Sequence, residues 1–210
     1  MARRQRAKKS WLAAHRTDHY VQQARAAGYR SRAVYKLMEI DDRDRLFRPG
    51  ICVVDLGAAP GGWSQVVAQR LGGRGRVIAL DVLPCDPLAG VEFVQGDFME
   101  DEVLELIVEM VGEGGVDVVI SDMAPNISGM GAVDQPRSMY LAELAAEFAG
   151  KALRRGGDML VKVFQGEGFE AYVKTLRAAF ANVAIRKPRA SRPQSREVYV
   201  LARQFRGVPV

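Results

Sequence analysis

Cysteine and histidine are scarce: Cys52, Cys85 and two histidines are all that 210 residues hold. They are too few and too far apart for a disulfide framework or a Cys/His zinc site, so no metal is expected and the reducing cytoplasm is the expected compartment. No apolar run approaches the roughly 18 residues of a membrane span, and no apolar stretch follows the basic N-terminus as it would in a secretory leader. G-x-G-x-x-G is absent, and so is the Walker Gly-Lys-Ser/Thr spacing. Their absence removes dinucleotides and nucleoside triphosphates as the reason for a glycine-rich turn. Repeats and low-complexity segments are missing too. Hydrophobic content of 48% and charged content of 26% are those of an ordinary globular chain, and the length suits one well-cored domain over 1–210.

What is present in excess is positive charge, and it is concentrated. Residues 1–36 carry ten Lys/Arg against Asp18 alone, a net +9, which leaves −4 for the rest of a chain whose total is +5. A second basic run, Arg186 to Arg196, contains no acid. Basic segments on a neutral-to-acidic body suggest a polyanion track. Trp11, His15, His19, Tyr20, Tyr29 and Tyr35 lie among the N-terminal charges, where they are able to stack on bases or ribose. Arg30, Arg32, Arg189, Arg192 and Arg196 are the candidate RNA contacts, with a basic helical RNA-binding extension at about 1–48.

Helices are predicted over 12–27, stopped at Gly28, and over 31–40 with Ser31 as N-cap. Beyond Pro49-Gly50 strands and helices alternate. Strands are predicted at 51–55, 76–81, 91–95, 116–122 and 158–163, and helices at 63–71, 100–111, 136–153 and 169–179. Two closing strands, 181–187 and 197–202, have no helix between them and read as an antiparallel edge hairpin. This is an α/β pattern: a Rossmann-like, mostly parallel seven-stranded sheet with helices on both faces.

Asp55-Leu56-Gly57-Ala58-Ala59-Pro60-Gly61-Gly62-Trp63 joins the first of these strands to its helix. Such a turn lets a ligand lie against bare backbone at a helix N-terminus. Asp55 would repel a phosphate but suits the ammonium and sulfonium of S-adenosylmethionine. Ligands of open α/β sheets bind beyond the carboxyl ends of the strands, where Asp55, Asp81, Asp97, Asp122 and Lys162 all fall. Asp81 lies 20 residues after Gly61, the spacing at which an acid reaches a ribose diol, and Asp97 is placed to accept from an adenine amino group.

Asp122-Met123-Ala124-Pro125-Asn126 lacks the aromatic that amino-group methyltransferases use to hold a planar base, and neither cysteine is placed to attack one. A hydroxyl acceptor remains, whose proton must leave as the methyl arrives. Lys162, flanked by Val161 and Val163, is placed to be buried, and desolvation with Lys36 nearby would bring it toward a useful pKa. Glu197 is expected to orient that ammonium.

Taken together, Gly28 to Leu37, Asp55 to Gln65, Ser121 to Asn126, Gly157 to Phe164 and Ser191 to Glu197 resemble the signatures of the FtsJ family of ribosomal RNA large-subunit methyltransferases. The resemblance spans nearly the whole chain. It implies a Lys-Asp-Lys-Glu tetrad at Lys36, Asp122, Lys162 and Glu197. It also implies S-adenosylmethionine contacts at Gly61, Trp63, Asp81, Asp97 and Asp122, in addition to the loop residues Asp55 and Gly57. The implied reaction is methylation of a uridine ribose 2′-hydroxyl in the A-loop of 23S rRNA, within the large subunit or its precursor, by a cytoplasmic monomer. Action on tRNA, or a non-catalytic RNA-binding role in ribosome assembly, are the alternative readings.

Overall fold

The computed structural model describes residues 18–97, 99–125, 128–207 and 210. The expectations for residues 1–17, including the start of the first helix and most of the N-terminal charge, lie outside these. Two helices come first, α1 (His19–Ala26) and α2 (Val34–Asp44). They are followed by β1 (Ile51–Leu56), α3 (Gly62–Leu71), β2 (Gly75–Asp81), β3 (Glu92–Gln95) and α4 (Asp101–Val111). The chain continues through β4 (Val116–Ser121), α5 (Gly131–Ala152), β5 (Leu153–Phe164), α6 (Phe169–Ala179), β6 (Phe180–Arg186) and β7 (Glu197–Phe205).

The seven strands form one sheet in the order β3-β2-β1-β4-β5-β7-β6. The first five are parallel to one another, and β7 runs antiparallel to both β5 and β6. The closing pair is therefore antiparallel and lies at one end of the sheet, as the edge hairpin read from the sequence requires. The connection from 186 to 197 is long enough for β7 to insert between β5 and β6, which leaves β6 at this edge of the sheet and β3 at the other. Strand alternation then splits the core in two. Val54, Leu56, Ile78 and Leu80 pack under α4, α5 and α6, whereas Val53, Val77, Leu160 and Tyr199 pack under α2 and α3. Each fully buried Val, Leu or Ile contributes about 1.5–3 kcal/mol. α2 belongs to this second layer: Val34, Leu37 and Ile40 are buried in it.

Several boundaries differ from the sequence reading: β5 begins at Leu153 rather than 158, β7 runs on to Phe205, and the second helix runs on to Asp44. α2 begins at Val34, with Ala33 rather than Ser31 at the cap, because the Ser31 hydroxyl instead packs over Gly62. α5 begins at Gly131 and carries Pro136 inside it. Only the first helical N–H groups lack an internal partner, so proline one turn in costs a single bond and does not stop the helix. Among the described residues no helix is long and apolar enough to cross a membrane.

Candidate active site

The parallel strands deliver their carboxyl ends to one side of the sheet, where a cavity of about 460 Å³ opens between the β1, β2, β3 and β4 termini. Gly57, Asp81, Asp97, Asp122 and Met123 are in its wall. Gly57 adopts φ 74°, its N–H donates to Leu80 O at 2.8 Å, and a Cβ there would collide with Met123 Cγ. Bare backbone is thus required where the loop closes on the cavity. Asp81 is oriented by Ala59 N–H at 2.9 Å and Leu83 N–H at 2.8 Å, and Asp97 by Met99 N–H at 3.0 Å. These bonds leave carboxylate lone pairs free to accept from a ligand.

The other three loop residues are placed differently. Asp55 is buried behind the cavity, accepting from Ser64 Oγ at 2.6 Å, and its Oδ1 is a buried acceptor without a partner. Burial first, and then the nearby Asp122 and Asp81 charges, push this carboxyl up to about 7, against the Ser64 hydrogen bond that lowers it. Gly61 turns toward Arg30, whose Nη1 would stand 2.8 Å from a Cβ there. The Trp63 indole is in the core, donating to Ala33 O at 2.9 Å and packing 5.6 Å from the Tyr199 ring. Its side chain braces α2 and β7 and does not line the cavity.

Beside the cavity the four expected catalytic side chains meet as two ion pairs. Lys162 Nζ lies 3.0 Å from Asp122 Oδ1 and also donates to Asp122 O. Lys36 Nζ lies 2.6 Å from Glu197 Oε1. Glu197 was expected to orient Lys162; it orients Lys36 instead, because β7 runs antiparallel and pairs Lys162 with Tyr199, placing Glu197 opposite Phe164.

Tyr199 is the residue that sequence reasoning missed. Fully buried, it donates to Asp122 Oδ1 at 2.7 Å, with Glu197 Oε1 at 3.5 Å, and so spans both pairs. Lys36 Nζ sits 5.6 Å from its ring centre. Burial, then the Asp122 and Glu197 charges, hold its hydroxyl protonated, well above the ordinary range, so it stays a donor. A tyrosine two residues after Glu197 on the same strand face was the available signal. Ser191 Oγ, donating to Glu197 Oε1 at 2.8 Å, completes the cluster.

The basic residues divide into two groups. Arg30 spends its guanidinium on Pro60 O at 3.2 Å, Asp86 O at 2.8 Å and Pro87 O at 2.8 Å. Arg32 pairs with Asp18 and donates to Ala190 O. Both were expected to meet RNA, yet their donors bind the N-terminal segment to the rest of the fold. Arg189, Arg192 and Arg196 are exposed. Arg192 is close enough to lower the Arg32 pKa, second to burial as a cause.

A parallel sheet with an inserted antiparallel β7, an acid-lined cavity at its carboxyl ends and a lysine–carboxylate pair at the cavity mouth define an α/β methyltransferase site. The model of the FtsJ-like methyltransferases matches residues 29–205, and the chain belongs to that family. It is 58% identical over 198 residues to the ribosomal RNA large subunit methyltransferase E of Pseudomonas fluorescens, covering 94% of this chain and 95% of that one. Its similarity to the methyltransferase of the same name from Pseudomonas paraeruginosa is also 58%, over 204 residues, with 97% and 99% covered. A crystal structure of a ribosomal RNA methyltransferase from Plasmodium falciparum superposes with a TM-score of 0.78 at 28% identity, over 86% of this chain and all of that one.

Proposed function

We propose that the protein is an S-adenosylmethionine-dependent enzyme that methylates the ribose 2′-hydroxyl of a uridine in the A-loop of 23S rRNA, acting as a cytoplasmic monomer on the large subunit or its precursor. The observation that carries this is the pairing of Lys162 with Asp122 at the mouth of the acid-lined cavity. The residues present fit the cofactor. The unpartnered Asp55 Oδ1, with Asp81 and Asp122 nearby, favours a cation. The Gly57 backbone is bare where the loop closes on the cavity, and Asp81 and Asp97 have free lone pairs for a ribose diol and an amino group. Bound there, S-adenosylmethionine supplies a methyl group on a sulfonium.

Asp122 borders both the cavity and the acceptor. It holds Lys162 through Oδ1 and its carbonyl, which leaves a further position on Nζ to face the hydroxyl. Once its resting ammonium has lost a proton to solvent, Lys162 would keep two N–H groups on Asp122 and turn its lone pair to the acceptor. It would then orient the 2′-oxygen, take its proton as that oxygen gains the methyl that the donor sulfonium gives up, and return the proton to solvent. Tyr199 fixes the Asp122 carboxylate, and the Lys36–Glu197 pair fixes the far side of Tyr199. Nothing in this arrangement has to reorganise during transfer, so much of the acceleration comes from positioning. The name shared by the two Pseudomonas relatives, the high identity and the exposed Arg189, Arg192 and Arg196 support ribosomal RNA as the acceptor.

The test is methyl transfer from labelled donor to large subunits taken from cells lacking the homologous activity, mapped to the nucleotide. One 2′-O-methyl uridine in the A-loop is expected, abolished by 2′-deoxy substitution of that nucleotide and weakened by Asp81→Ala. Labelling of tRNA with unlabelled subunits, or transfer to the deoxy substrate, would refute the assignment.

A further inference from the structure

The tetrad also adjoins a second cavity, of about 370 Å³, within the size range of small-ligand pockets. Pro125, Phe164, Gln194, Ser195 and Arg196 wall it, together with Gly131 of α5. Three of these are tied through the chain to the tetrad. Pro125 follows Asp122 by three residues, Phe164 follows Lys162 by two, and Arg196 immediately precedes Glu197. Strand alternation puts Phe164 on the Lys162 face, roughly 7 Å further along the strand. The ladder pairs Phe164 with Glu197 and Lys162 with Tyr199. Asp122, Met123 and Ala124 border the cofactor cavity and Pro125 borders this one, so a single short segment separates the two.

We propose that this second cavity receives the base of the acceptor nucleotide, turned out of the RNA, with Phe164 as the surface on which it stacks and Arg196 at the rim. The proposal rests on the 2′-O-methylation reading. In a nucleotide the 2′-oxygen and the base are borne by adjacent ribose carbons, so a hydroxyl held at Lys162 puts its base within a few ångströms of that lysine. One side of Asp122 faces the cofactor cavity, and the sheet beneath is filled by the buried Tyr199. The Phe164 cavity is the adjoining space on the remaining side. Its ring is half-buried, on a strand end held by Gln135, which donates from Nε2 to Phe164 O at 3.0 Å and to Glu167 O at 3.0 Å. A fixed aromatic with one accessible face is what an unstacked base needs, and stacking of this kind does not depend on base identity.

A chemical double-mutant cycle tests this. Single-turnover methylation at subsaturating RNA is measured for wild-type protein and Phe164→Ala, each with intact RNA and with RNA whose acceptor nucleotide keeps its ribose and 2′-hydroxyl but lacks the base. Removing the ring or the base should each slow transfer about ten- to a hundredfold, the range for one base–aromatic stack. Removing both should cost no more than either alone. Phe164→Tyr should stay within a few-fold of wild type, and calorimetric cofactor affinity of Phe164→Ala within about twofold. Losses that multiply overturn the proposal. So does undiminished methylation of the base-less RNA by wild-type protein, a result that needs no variant to fold. Methylation of intact RNA in the same reactions reports on the underlying reading. Its absence removes both, whereas its presence with multiplying losses removes the pocket assignment alone.

Discussion

Replacing Asp55 by asparagine should alter the pH dependence of stability as well as its size. The Asp55 carboxyl sits at about 7 in the folded chain against an ordinary 3.8, driven by burial and then by its acidic neighbours. A raised carboxyl pKa means that the folded state prefers the protonated form. The associated stability is fully present below pH 3.8 and is lost as the pH rises through about 7. The shift of about three units, at 1.36 kcal/mol each, corresponds to about 4 kcal/mol carried as a penalty at pH 8. The asparagine variant is neutral throughout and retains an acceptor for Ser64 Oγ. The assay is urea unfolding of cofactor-free wild type and Asp55→Asn at intervals from pH 4 to 9. Wild-type stability relative to the variant should decline by about 4 kcal/mol between pH 4 and pH 8 and then level off. Saturating S-adenosylmethionine should shrink that decline, because its ammonium offsets the buried charge. A difference between the two proteins that stays constant across the range would refute the reasoning.

Lys162→Ala should abolish turnover while cofactor affinity, read by calorimetry, stays within a few-fold. Lys162→Arg should not rescue it, since a guanidinium remains protonated and is bulkier. Tyr199→Phe removes one hydrogen bond to a charged group, worth about 1.5 kcal/mol, so kcat should fall roughly tenfold with the cofactor KM little changed. An unchanged single-turnover rate would remove Tyr199 from the positioning chain. Neutralising Arg189, Arg192 and Arg196 together should reduce the slope of log RNA affinity against log salt by about 2–3. Arg30→Ala should lower the melting temperature and leave that slope nearly unchanged, because its guanidinium is spent on backbone carbonyls.

Local pattern determined the α/β class, the seven strands, the glycine loop, and the placement of Asp81, Asp97, Asp122 and Lys162 at strand ends. Each of these depends on residues close together in the chain: an apolar run, a turn signal, a polar residue where the run stops. Even the two-layered core follows from strand alternation, once one strand face is known to be covered. The tertiary structure alone decided who pairs with whom. Glu197 meets Lys36 rather than Lys162 because β7 enters the sheet between β5 and β6 with Tyr199 opposite Lys162. That register links residues on three separate strands and a helix, and no local spacing encodes it. The same holds for the arginines. Arg30 and Arg32 look in sequence like Arg192 and Arg196, yet their guanidiniums are consumed by carbonyls and a carboxylate brought from more than ten residues away. A cation's role depends on what has already paid for its desolvation, and only the folded chain brings those partners to it.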